Sequence, residues 1–259
     1  MPFVAGPEGR LEVKVVGAGE PVTVFAHGLA GSIAETRPFA AGVAGTRVFF
    51  SFRSHGQSVS PRSPWSYAAL ELELMAVRDA YGARRGLGVS LGAGALLRAA
   101  VHRPDLFERL VLVLPAALDA PRSGRAVHRV AEMAERAEAG DVEGLSAELL
   151  AEQPAGVRDR RVVQMWARQQ AEQLCEPMIR RSMLTIPLLH PLDHAAVLES
   201  VTCPVLVVGQ VDDEAHPSAV VDQLASVLPD ATTKVFGPGG LMWTHRAELR
   251  PLISDFLNT

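Results

Sequence analysis

The apolar residues of this chain fall into short runs whose spacing changes character along its length. Leu11–Val16 is followed by the turn sequence Gly17-Ala18-Gly19-Glu20-Pro21 and then by Val22–Ala26, which predicts two strands joined tightly. Arg47–Phe52, Arg85–Val89 and Leu110–Leu114 predict three more. Several of these runs are apolar nearly throughout, as strands buried on both faces are. Between them, Tyr67–Tyr81 sets Leu70, Leu74, Val77 and Tyr81 at three-to-four spacing, the period of an amphipathic helix. Leu91–His102, rich in small and apolar residues, suits a packed helix. Strand and helix alternate, which implies a mostly parallel sheet with helices on both faces.

From about Pro121 to Arg181 the strand pattern stops. Val127–Ala139, Leu145–Glu152 and Val162–Leu174 predict charge-rich helices. Strands resume at Pro204–Val208 and Thr232–Phe236 around a helix at Ser218–Leu228, and a last helix covers Glu248–Leu257. The expected organisation is one α/β core in two parts, 1–118 and 196–259, interrupted by a helical insertion over 119–195.

Composition narrows the class. With 259 residues, 48% apolar and 21% charged, the chain can bury a core without metal or disulfide staples. A net charge of −4 gives no electrostatic footprint for nucleic acid or an anionic membrane, and no apolar run approaches the ~20 residues of a membrane span. Cys175 and Cys203 lie far apart without CxxC spacing, which argues against a disulfide scaffold or zinc module and for a reducing compartment. The first residues lack a basic and then apolar leader, so the expected location is cytoplasmic. No pattern speaks to oligomeric state.

Chemistry concentrates at strand ends. Gly88-Val89-Ser90-Leu91-Gly92 leaves one predicted strand and opens a helix, the context that a G-x-S-x-G nucleophile elbow requires. A serine there sits on a strained turn, and the flanking glycines let neighbouring chains approach. A dinucleotide reading fails on spacing, because the third glycine of G-x-G-x-x-G would fall on Leu91; no Gly-Lys-Ser/Thr supports a P-loop. His27-Gly28-Leu29-Ala30-Gly31-Ser32 follows Val22–Ala26, and the N–H groups of Leu29 and Leu91 can together receive an oxyanion. The competing reading of that stretch is a glycine turn with a structural histidine. Gly209-Gln210-Val211-Asp212-Asp213 ends another strand, where parallel sheets bind ligands. Asp212 is the first choice for a histidine-orienting acid and Asp213 the fallback, the other capping the next helix; Asp119 is a weaker candidate.

These features resemble the α/β-hydrolase superfamily, and within it the small lidded esterase, lactonase and carbon–carbon-bond hydrolase branch. The resemblance is carried by His27-Gly28, Phe52-Arg53-Ser54-His55-Gly56-Gln57-Ser58, the Ser90 elbow, Gly209-x-x-Asp212 and Leu252-Ile253-Ser254-Asp255-Phe256-Leu257, spread over nearly the whole chain. It implies an eight-stranded core, a helical lid over Ser90 at Pro121–Arg181, a small-molecule substrate, and no cofactor or metal. It also implies a histidine in a Gly-His pair beyond the last strand. Here that position falls near Gly240, and His245 lies about five residues later.

His245 is therefore the expected base, delivered by a loop that curls back, against the plainer reading that it stacks on Trp243 or caps the last helix. His55 reads as structural. His190 and His194 are four apart, but Pro191 breaks the helix that would align them on a metal, and a turn is expected. His216, close behind Asp212-Asp213, is placed at the mouth of the pocket. Met165-Trp166, Met178 and Met183 read as core packing or as an apolar pocket lining. The expected activity is ester, thioester or lactone hydrolysis by Ser90, His245 and Asp212. The alternative is a non-hydrolytic, ligand-binding member of the same fold, favoured by the missing Gly-His pair.

Overall fold

In a computed structural model, which describes residues 2–122 and 124–259, the chain is built on an eight-stranded sheet. The strands are β1 (Phe3–Gly6), β2 (Gly9–Val16), β3 (Val22–Ala26), β4 (Thr46–Phe50), β5 (Arg85–Val89), β6 (Arg109–Val113), β7 (Val205–Gln210) and β8 (Ala231–Phe236). Their order is β1-β2-β4-β3-β5-β6-β7-β8, with only the β1–β2 and β2–β4 pairs antiparallel. The two runs expected to be joined as a tight pair, β2 and β3, are not neighbours. β4 lies between them, because β3 is buried along its whole length and takes parallel partners on both sides, with Phe25 flanked by Phe49 and Leu87. The first strand escaped the hydrophobic pattern: Phe3-Val4-Ala5-Gly6 is short and alternates between exposed and half-buried.

Successive residues of the central strands feed opposite faces, as the period of two requires. Val24, Leu110, Leu112, Val205 and Val207 join a core completed by α2 (Tyr67–Tyr81), α3 (Leu91–His102) and α8 (Ala219–Val227). Phe25, Val111, Val113, Leu206 and Val208 join another core closed by α9 (Arg246–Asn258). Local signals fix the helix ends. Ser66 accepts from the Ala69 N–H at the start of α2, and Gly82, in the left-handed region at φ 65°, ends it.

Between β6 and β7 the chain forms α4 (Arg125–Glu138), α5 (Val142–Ala151), α6 (Arg161–Cys175) and α7 (Pro177–Met183), followed by short 3₁₀ turns. The run Ala195–Ser200 is one of these turns rather than a regular helix. The four helices enclose an apolar cluster of their own, including Met133, Leu145, Leu149, Ala167, Ala171, Ile179 and Met183. Ala30, from the turn after β3, joins that cluster, so the helical layer is seated on the carboxyl edge of the sheet. No described helix is long and apolar enough to cross a membrane.

Candidate functional site

Ser90 stands between β5 and α3 with φ 51° and ψ −109°, a conformation that non-glycine residues rarely adopt and that costs roughly 1–3 kcal/mol. Its N–H donates to the Val113 carbonyl at 2.9 Å, and its own carbonyl accepts from Gly94 N–H at 3.1 Å. The surrounding backbone leaves no room for side chains at the two glycines. A Cβ on Gly88 would lie 2.4 Å from the Gly92 carbonyl oxygen, and one on Gly92 would lie 2.5 Å from the Ala26 oxygen. The serine is thus raised at the strand end because α3 approaches β3 and β5 more closely than any residue with a side chain permits.

The partner of Ser90 is His216. Its Nε2 lies 2.8 Å from Ser90 Oγ, and its Nδ1 lies 3.0 Å from Asp213 Oδ2. Both come from the loop after β7, only three residues apart. Asp213 holds the loop as well as the ring: Oδ1 accepts from the N–H groups of Ala215 at 3.0 Å and His216 at 3.1 Å, a local turn typical of aspartate. Burial alone would push the Asp213 carboxyl up. The charge of His216 and the hydrogen bonds from its ring and the two N–H groups outweigh that, and hold it below its usual range.

The other residues singled out in the sequence take different places. Asp212 is exposed, in the left-handed region at φ 57°, where it forms the turn that presents Asp213. His245 Nε2 meets the Gly237 carbonyl at 3.0 Å, its ring lies 5.0 Å from that of Phe236, and its carbonyl accepts the N–H groups of Glu248 and Leu249 in α9. It serves the helix start and stands outside the Ser90–His216–Asp213 chain. Asp119 accepts from the Ala195 N–H at 2.8 Å, far from any triad role. His190 Nδ1 meets the Leu192 carbonyl at 2.6 Å in a turn, and among the described residues no three His, Cys, Asp or Glu are grouped to hold a metal.

The turn after β3 is fixed from below. His27 is buried, with Nδ1 at 2.6 Å from the Gly28 carbonyl and Nε2 accepting the Phe52 N–H at 3.0 Å. Burial lowers its pKa to about 4, so the ring is neutral and keeps that acceptor. His55 is likewise buried and neutral, at 2.8 Å from the Arg53 carbonyl, and packs 4.6 Å from His27. No carbonyl of the described residues takes the Leu29 N–H, and Leu91, as the first residue of α3, has no intrahelical acceptor. Two donors are therefore left beside Ser90, and a Cβ on Gly28 would lie 3.4 Å from Ser90 Cβ.

Charged groups crowd above. Arg129 of α4 is ion-paired with Glu152 at the end of α5. Burial, reinforced by Glu148 and Asp213 and opposed by Arg129, pushes Glu152 up to about 7. Of the methionines and tryptophans read as core or pocket, Met183 is buried and Met165 is 51% exposed. Met178 borders a cavity of 200 Å³ with Trp65 and Arg181, and Trp166 meets Trp243 edge-on at 6.0 Å.

The sequence profile described as the alpha/beta hydrolase family matches residues 23–251. The chain belongs to that family. No curated protein sequence matches it. Among solved structures, an esterase from Exiguobacterium antarcticum superposes with a TM-score of 0.82 at 16% identity, each chain covered over 99%. The enol-lactonase from Burkholderia xenovorans gives 0.79 at 19% identity, with both chains fully covered. A meta-cleavage product hydrolase from Pseudomonas fluorescens gives 0.78 at 17%, covering 100% of this chain and 97% of that one. At such identities the likeness establishes the hydrolase fold, including the eight-stranded, mostly parallel sheet expected from the sequence. No histidine stands near Gly240, where one is expected beyond β8, and the histidine that meets Ser90 lies in the loop after β7.

The sequence contained a usable signal for this. Asp213-Glu214-Ala215-His216 puts an acid and an imidazole three residues apart at a strand end, where one turn can join them. A histidine expected after the last strand points instead to His245, which faces Gly237 and Phe236.

Proposed function

We propose that the protein is a serine hydrolase of an ester, thioester, lactone or related carbonyl compound, with Ser90 as nucleophile, His216 as base and Asp213 as the acid that orients it. The observation that carries this reading is the unbroken chain from Ser90 Oγ to His216 Nε2 at 2.8 Å and from His216 Nδ1 to Asp213 at 3.0 Å. A serine hydroxyl attacks a carbonyl efficiently only when a base removes its proton in the same step. Here Ser90 Oγ bonds to the carbonyl carbon while its proton passes to Nε2. The carbonyl oxygen becomes an anion between the N–H groups of Leu29 and Leu91, each such donor being worth about 3 kcal/mol. Collapse of the adduct breaks the bond to the leaving oxygen or sulfur, which takes the proton from His216. Water then attacks the acyl-enzyme, again giving its proton to Nε2, and Ser90 is released with the acid product. Asp213 stays ionised throughout and keeps Nδ1 protonated, so that Nε2 faces the serine as an acceptor.

The helical layer between β6 and β7 acts, on this reading, as the lid over the site, spanning residues 119–195. Its seating through Ala30, beside the turn that supplies the Leu29 N–H, supports that role. Hydrolysis of p-nitrophenyl acetate and butyrate, with labelling by a serine-directed phosphonate, tests the assignment. Wild type should turn over and be labelled at Ser90. Ser90→Ala should fall to background, and His216→Ala should lose about 10⁴-fold or more. His245→Ala should retain most activity. A His216→Ala variant that keeps wild-type rates would refute the base assignment. A wild type that is inert and unlabelled would point instead to a non-hydrolytic binding protein.

A further inference from the structure

Beyond β8, where a histidine is expected, the chain instead grips the helical layer. Gly239 and Gly240 lie at φ 133° and 72°, in the region that favours glycine. Gly240–Thr244 make one wide turn, which Thr244 Oγ1 closes by donating to the Gly239 carbonyl at 2.6 Å. A Cβ on Gly240 would lie 2.9 Å from Trp243 Cδ1 and 3.3 Å from Gln153 Oε1, so an indole and an amide fill the space a side chain there would need. Trp243 takes part in none of the apolar clusters among the described residues. Its half-buried ring is turned to the helical layer.

It meets that layer at two points. Nε1 donates to Gln153 Oε1 at 2.9 Å, just past α5, and the ring meets that of Trp166 in α6 edge-on, with 6.0 Å between centroids. Gln153 is itself fixed, since its Nε2 donates to the Leu149 carbonyl at 3.2 Å and its own carbonyl accepts from Arg158 Nε at 2.7 Å. One turn on from Trp166, on the same face of α6, Gln170 Nε2 donates to Glu35. Glu35 lies against the turn after β3: a Cβ on Gly31, two residues beyond Leu29, would be 3.2 Å from Glu35 Oε2. Helix α6 is therefore held by two core loops, after β3 and after β8, and the turn that carries the Leu29 N–H is tied to it.

We propose that Trp243 is a positioning residue, which holds the helical layer down on the core and, through Trp166 and α6, keeps the Leu29 turn in place beside Ser90. This rests on the serine-hydrolase reading of the site. The loop that brings no base to Ser90 thus contributes by fixing the opposite side of the site. An oxyanion exists only after attack, so slack in the turn that receives it lowers kcat and leaves KM nearly unchanged.

Steady-state hydrolysis of p-nitrophenyl butyrate reads the effect on the reaction. Trp243→Ala should lower kcat by about tenfold or more, with KM within about twofold of wild type. Trp243→Phe keeps the ring and loses the N–H, so it should recover much of that rate and cost about threefold. Gln153→Met removes the other half of the same hydrogen bond, and the Gln153→Met/Trp243→Phe double variant should be no slower than either single one. Losses that multiply in the double variant, or a change confined to KM, would overturn the proposal.

Amide hydrogen exchange, read by mass spectrometry, reports on the layer without any turnover. Trp243→Ala should speed exchange in α5, α6 and residues 28–35 by about fivefold or more and leave β5, β6 and β7 unchanged, with Trp243→Phe in between. Should wild type hydrolyse nothing, the hydrolase reading fails, while exchange still decides whether Trp243 holds the layer. Unchanged exchange in α5 and α6 would refute that hold. Faster exchange throughout, central strands included and in Trp243→Phe as well, would refute it too, because Trp243 would then support the fold as a whole.

Discussion

A serine hydroxyl is a weak nucleophile at neutral pH, so what Ser90 can do turns on one imidazole and the group behind it. Asp213 is the residue on which that arrangement depends twice. It fixes the tautomer of His216 through Nδ1 and shapes the loop through Oδ1, and the hydrogen bonds it accepts help hold its carboxyl below the usual range. Asp213→Asn should therefore lower kcat by about 10⁴-fold, because an amide can present its N–H to the ring and reverse the tautomer. Asp212→Asn should stay near wild type, since that side chain is exposed and asparagine tolerates the left-handed turn. Steady-state rates of the two variants on one ester check both, and equal losses would mean the loop rather than the acid was disturbed. At this scale Ser90 was legible because steric demands write the glycines on either side of it. The choice between two adjacent aspartates was not, because only the backbone twist at Asp212 decides which one faces inward.

Elements were readable where burial imposes a pattern over many residues. α2 and α3 begin and end where the sequence period places them, and β3 and β5 match their apolar runs. Elements escaped where the pattern is short or mixed. β1 is half-exposed over four residues, and α7 starts at Pro177 within a charged stretch. The pairing order of β2, β4 and β3 was hidden for another reason: a short turn between two strands does not say whether a third will enter. The packing of α3 gives the sharpest prediction at this scale. A methyl on Gly92 would lie 2.5 Å from the Ala26 oxygen and 2.7 Å from the His27 oxygen, both backbone atoms that cannot turn aside. Gly92→Ala should destabilise the fold by about 1–3 kcal/mol, as overpacking of a close contact does, and displace Ser90 from His216. Urea denaturation together with the phosphonate labelling rate reads both effects. A variant of unchanged stability and reactivity would show that α3 can shift freely.

The α/β core and the helical layer meet through apolar packing at Ala30 and through polar links, one of which is titratable near neutrality. Glu35 sits at the start of α1 (Ile33–Thr36), just beyond the turn that carries Leu29, and Ser32 accepts its N–H at 3.3 Å as the helix cap. Its carboxyl accepts from Gln170 of α6, and Trp166 of the same helix adds a second donor. Trp166 in turn packs on Trp243, whose Nε1 donates to Gln153 at 2.9 Å. The groups that face Glu35 are thus neutral donors from α6 and the backbone at Ser32, with no cation among the groups that shift it. Burial, only partly offset by these bonds, pushes the carboxyl up from 4.5 to about 7. A carboxyl raised in the folded state favours folding fully below its unfolded value, and that contribution is lost as pH rises from about 4.5 through about 7. Over the whole window the change is roughly 3 kcal/mol. Glu35→Gln keeps the shape but cannot ionise, so it should lose this dependence. Relative to wild type, the variant should gain up to about 3 kcal/mol in denaturant stability between pH 5 and pH 8. The comparison cancels every other titrating group, because both proteins share them. If the two stability curves run parallel across that range, the carboxylate finds adequate solvation between the layers, and the seam over the turn after β3 is wetter and looser than its hydrogen bonds imply.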